Sequence, residues 1–120
     1  MRLVPLLLAA APAAFAQAPT SVLVPDAKND RVMLLDIATG AGLNWNFIID
    51  AGGSPYDLDL PREALPVGNE IWVVDEGADA VFRFDSSGNY LATISGSLDD
   101  PTGIATLQTR VWVLNNGASG

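Results

Sequence analysis

The chain contains no histidine and no cysteine, and it is poor in cations. Without histidine there is no imidazole to ligate zinc, to act as a general base or to complete a Ser-His-Asp triad. Without cysteine no disulfide braces the fold, so the core has to come from packing alone. Six Lys and Arg stand against fourteen Asp and Glu, for a formal net charge of −8. Nucleic acid and anionic membrane surfaces call for basic patches, and this balance argues against both. The sequence also lacks a Gly-rich phosphate loop, an EF-hand spacing and any amphipathic helical window after residue 20.

The long apolar run is confined to the N-terminus. Arg2 supplies a positive flank, Leu3–Ala14 is apolar but broken by Pro5 and Pro12, and Ala14-Phe15-Ala16 follows. A positive flank, a short apolar stretch and a small-x-small site are the marks of a secretory signal peptide. The run is short of the ~20 residues that span a bilayer, so no stable membrane insertion is expected after cleavage. We therefore expect residues 1–16 to be a cleavable signal, 17–20 a linker, and the product to be periplasmic or extracellular. Cleavage after Ala16 leaves Lys28, Arg31, Arg62, Arg83 and Arg110 as the cations.

What is present is a repeat. Glu70–Asp85 reads EIWVVDEGADAVFRFD; Val22–Asp36 reads VLVPDAKNDRVMLLD, and Val111–Gly117 reads VWVLNNG. At an offset of 49, Asp26 falls on Asp75, Asp30 on Asp79, Val32 on Val81 and Leu35 on Phe84. At an offset of 40, Trp112 falls on Trp72 and Gly117 on Gly77. Such periods mark stacked or radial arrays, whose units bury their apolar faces only against neighbours.

Within each unit the pattern alternates with period two. Phe82 and Phe84 share one face while Val81, Arg83 and Asp85 share the other, as in a strand. Gly88 in Asp85–Asn89 and Gly40 after Asp36 supply turn chemistry. We expect an all-β chain with a partial repeat array over 21–120. Its full four-stranded unit would cover about 55–97, with strands Tyr56–Leu60, Glu70–Asp75, Ala80–Phe84 and Tyr90–Ile94. Pro55 and Pro101 would open successive units, leaving Pro61–Gly68 (PREALPVG) as an exposed loop insertion. The preceding unit shows no obvious first strand, and the following one stops after its second.

Three phrases carry a family resemblance: Pro101-Thr102-Gly103-Ile104-Ala105, Ile71–Gly77 (IWVVDEG) and Ala80–Leu91 (AVFRFDSSGNYL). Together they resemble blades of the NHL-type and YVTN-type β-propeller families. The resemblance implies four-stranded antiparallel blades in an incomplete ring, with first strands lining a central channel and ligands met at one mouth. A ring takes four to eight blades, and about two and a half repeats are present. The expectation is an N-terminal piece of a longer protein; copies assembling to close a ring, or an open stack with exposed edges, are the alternatives.

Four residues stand out as candidate binding positions. Asp57 and Asp59, two apart on an expected strand, would present two carboxylates to a cation or polar ligand, although calcium takes six to eight oxygens. Asp75 and Asn115 close equivalent Trp-bearing strands, where either ligand contact or local turn-shaping hydrogen bonds would explain them. Trp72 and Trp112 are expected to pack between units, leaving Trp45 as the exposed indole. No cofactor is specified, though the carboxylates leave room for a divalent cation. The function expected is an exported binding or interaction scaffold that displays rigid loops to a protein or a small polar ligand. The alternative is part of a metal-dependent propeller enzyme, a lactonase-like hydrolase or a lyase, completed by residues beyond Gly120. Propeller lyases of the streptogramin and peptide-amidating type rely on histidine, from which residues 1–120 depart.

Overall fold

The computed structural model of the chain describes residues 19–117, so the expected signal and residues 17–18 lie outside the described residues. Nine strands run in sequence order without a helix among the described residues. They are β1 (Ser21–Asp26), β2 (Arg31–Asp36), β3 (Gly42–Ile49), β4 (Pro61–Val67), β5 (Glu70–Asp75), β6 (Ala80–Asp85), β7 (Tyr90–Ile94), β8 (Pro101–Leu107) and β9 (Arg110–Asn115). All pairings are antiparallel between sequence neighbours, giving sheets of order β1-β2-β3, β4-β5-β6-β7 and β8-β9.

The turns follow from the residues read in the sequence. The Asp85 carboxylate accepts the N–H groups of Ser87 and Asn89, and Gly88 sits at a φ of 87°. Asp36 does the same for Ala38 and Thr39, with Gly40 at 74°. Asp30 and Asp79, one repeat apart, both take left-handed backbone at φ of 51° and 54°. Aspartate tolerates that region better than most residues, which explains its recurrence there.

One element departs from the expectation. Tyr56–Leu60 is not a strand, and the stretch expected as a loop insertion is β4. Pro61 pairs with Asp75 as Pro101 pairs with Asn115, and both ladders shift register at the next step. The repeat between these units is therefore a constant 40 residues with no insertion, and Pro61 rather than Pro55 is the opening proline. Prolines are tolerated in β4 because it is an edge strand: Pro61 begins it, and Pro66 lacks only a donor that the outer edge does not use.

The sheets stack face on face. In the middle sheet, Ile71, Val73, Phe82 and Phe84 point toward the first sheet, where Val32 and Ile48 meet them in one cluster. All six are at most 7% exposed. The opposite face carries Val74 and Val81, which pack on Ile104, Val111 and Val113 of the third sheet. Leu58, in the linker between the first two sheets, plugs into the first interface. Tyr56 lies edge-on to Phe84 at 5.1 Å and stacks on Tyr90 at 5.2 Å, closing that interface at its rim. Among the described residues, only the middle sheet has both faces covered.

Candidate functional site

The topology sends one set of turns and strand ends to the same end of all three sheets. Ten of the fourteen carboxylates lie there: Asp26, Asp30, Asp50, Asp57, Asp59, Asp75, Glu76, Asp79, Asp99 and Asp100. Lys28, Arg31 and Arg62 accompany them. Arg31 pairs with Asp26 at 2.9 Å, and Arg62 with Glu76 at 3.0 Å.

Asp75 is fully buried, and its role is internal. Its Oδ2 accepts the Asp59 N–H at 2.9 Å; its Oδ1 accepts the N–H groups of Leu60 and Ala78, each at 2.9 Å. Burial pushes its carboxyl above the ordinary value, while the backbone N–H donors of Leu60, Asp59 and Ala78 pull the other way. With its oxygens spent on three backbone donors, Asp75 clasps the entry to β4 rather than facing a ligand. Asn115 repeats the clasp one unit on, accepting the Asp99 N–H at 2.7 Å and donating to the Ser97 carbonyl at 3.3 Å. The third equivalent, Asp26, has no strand preceding β1 among the described residues, and its Oδ2 takes Asn29 and Arg31 instead. Of the two roles open to Asp75 and Asn115 in the sequence, the local hydrogen bonds are the one formed.

Asp57 and Asp59 do not share a strand face, because their segment is not a strand. Asp59 lies against Gly77, where a Cβ would run into its carboxylate; Asp99 stands in the same relation to Gly117. This close approach is the physical reason for glycine at both positions. Asp57 turns to a residue the sequence gave no reason to choose, Asp50, outside the repeated phrases. A hydrogen bond to Asp50, and its charge, hold the Asp57 carboxyl above the ordinary range. Asp50 is held below it by the Gly52 and Leu58 N–H groups, the latter at 2.9 Å.

A second group is assembled by the fold. Oxygens of Asp79, Asp99 and Asp100 lie within 4.8 Å of one another, and the Asp100 N–H donates to Asp79 at 2.8 Å. Partial burial, then the charges of Asp99 and Asp79, raise the Asp100 carboxyl. These three are the described residues best placed to share a cation, but one oxygen from each falls short of a calcium shell. The repeat held a signal for one of them, since Asp99 stands 40 residues after Asp59.

The indoles also sort differently from the expectation. Trp72 is covered: its Nε1 donates to Glu70 at 2.9 Å, and Arg83, bidentate to Glu70, lies 5.2 Å from its ring centroid. Trp45 is 53% exposed as anticipated, but Trp112 is 55% exposed as well, because among the described residues no sheet covers the outer face of β8-β9. At the end of the sheets opposite the acidic turns, a groove of about 670 Å³ runs beside the unpaired edge of β1. Its lining includes Leu23, Phe47, Leu65, Pro66 and Ile71.

Two expected outcomes follow. Asp75→Ala strands three N–H groups at a buried position and should cost about 3 kcal/mol or more in urea denaturation. A loss below about 1 kcal/mol would mean the clasp is dispensable. Asp57, held above 3.8 when folded, favours folding fully below 3.8, and that contribution is lost as pH rises through its folded value. Asp57→Asn should therefore raise Tm more at pH 7 than at pH 4; an equal change at both pH values would contradict the Asp50–Asp57 contact. No family model matches the chain, and no curated protein matches it.

Proposed function

We propose that the chain is an exported propeller-type binding scaffold that presents its acidic turn end to a cationic protein surface. The observation that carries this reading is the gathering of ten carboxylates on turns whose backbones are tied down by Asp75, Asn115 and their neighbours. Pre-ordered turns lose little freedom on binding, and a single-sign surface steers an oppositely charged partner. Export rests on the N-terminal pattern Arg2 to Ala16, and the propeller form on the NHL/YVTN-like phrases and the four-stranded unit β4–β7. Asp79 on the β5–β6 turn and Asp99 and Asp100 on the segment before β8 form the closest group of three carboxylates on this surface.

The test is binding of a lysine-rich peptide, followed by fluorescence anisotropy at low and at physiological salt. Binding should weaken with salt and with Asp79→Asn or Asp100→Asn, but not with Asp36→Asn at the opposite end. Equal losses from both ends would overturn the assignment of the surface. Saturable stabilisation by Ca²⁺ or Mn²⁺ at matched ionic strength, together with ester or lactone hydrolysis lost in Asp79→Asn, would overturn the scaffold in favour of an enzyme.

A further inference from the structure

The two outer faces of the sheet stack are largely apolar, each with one arginine at its margin, and the repeat identifies what each one fits. On the first sheet, Val22 pairs with Leu35, Val24 with Met33 and Arg31 with Ile49, so Val22, Val24, Met33, Leu35 and Ile49 share its outer face, with Arg31 at the end of β2 that bears the acidic turn. Val22, Val24, Met33 and Leu35 occupy the repeat positions of Ile71, Val73, Phe82 and Phe84. In the middle sheet those four are at most 7% exposed, covered by the first sheet. In the first sheet the same face is open, with Val22 42% and Ile49 51% exposed.

The third sheet is open on the opposite side. Val111, Val113 and Ile104 face inward, so Ala105, Leu107, Trp112 and Leu114 face outward across the paired strands, with Arg110 opposite Leu107 at the margin. Ala105, Trp112 and Leu114 hold the repeat positions of Leu65, Trp72 and Val74, which the middle sheet covers with the third. Here Leu107 and Leu114 are 64% exposed and Trp112 55%. Contiguous exposed apolar faces of this kind mark association surfaces.

We infer that a second copy of this chain docks its first sheet onto the outer face of β8-β9, continuing the stack head to tail. The contact would reproduce the sheet-on-sheet arrangement formed twice within the chain, and most closely the second interface, where the Trp72-bearing face of the middle sheet meets Ile104, Val111 and Val113. Two copies of the same end face lack that complementarity. Such a contact is heterologous, so it propagates, closing a ring if the rotation per copy allows and extending a filament if not. The net charge of −8 opposes it, so association should strengthen as salt rises, opposite in sign to the peptide binding proposed above. The inference rests on the stacked faces and does not depend on the scaffold function.

The experiment is sedimentation velocity of the purified protein over a dilution series, with one variant on each face. Leu114→Glu blocks the outer face of β8-β9 and Val22→Glu that of the first sheet; both sites are exposed, and unchanged circular dichroism checks their folding. Leu107→Glu and Ile49→Glu serve as second variants should either misfold. Wild type should associate with concentration, and each variant alone should be weakened by about tenfold or more, as expected for a charge set into an apolar contact. An equimolar mixture of the two variants should form a heterodimer and stop there, because each retains the one face the other has lost. The inference is overturned if wild type stays monomeric at all concentrations and salts, or if association is untouched by either variant. It is equally overturned if Val22→Glu still self-associates while Leu114→Glu does not, which would mean a symmetric contact between like faces.

Discussion

Everything in this fold depends on sheets burying their faces against one another. Disulfides are ruled out by the absence of cysteine, and no helix covers a sheet among the described residues. A single antiparallel sheet of this size has two apolar faces and nothing of its own to put on either. The middle sheet solves this by being sandwiched, so that Phe84 and Val73 on one face and Val74 and Val81 on the other are all fully buried. The outer sheets solve it on one face only. Burial, indole exposure and the placement of polar groups all follow from that asymmetry.

A second constraint acts at the strand ends. A chain that crosses from one sheet to the next leaves backbone N–H groups near the interface, and these need partners. Asp75 and Asn115 provide them, one repeat apart, by holding the segment that enters the following first strand. Gly77 and Gly117 make room for the aspartates that lie beside them. The consequence is an end of the molecule with many carboxylates on ordered turns. Acidity and order there have a common origin in how the units are joined.

Much of the architecture was legible in the sequence. Alternation in Ala80–Asp85, the Asp-Ser-Ser-Gly-Asn turn and the offset of 49 identify β1, β2, β5 and β6 with their turns. The first strand of the full unit was not legible, because PREALPVG has two prolines and two charges, and composition alone reads that as loop. Only the pairing of Pro61 with Asp75 shows that an edge strand accommodates it, and the constant spacing from Pro61 and Pro101 to their tryptophans was the overlooked clue. Of the candidate site, Asp75 and Asn115 were found but not what they hold, since backbone N–H groups leave no trace in side-chain identity. Asp50 and Asp100 were missed because only the crossing of the chain between sheets brings them to Asp57 and to Asp79.

Among the described residues the middle sheet alone is buried on both faces, and it carries the stability of the stack. Amide hydrogen exchange on dilute, monomeric protein tests it directly, because protection reports the free energy of opening each segment. Protection should be strongest in β5 and β6, lower in β1 and β2, and weakest in β9, whose outer edge and outer face are both open among the described residues. Protection of β9 equal to that of β5 and β6 would contradict it, because a third sheet with one open face cannot be as hard to open as the sheet at the centre.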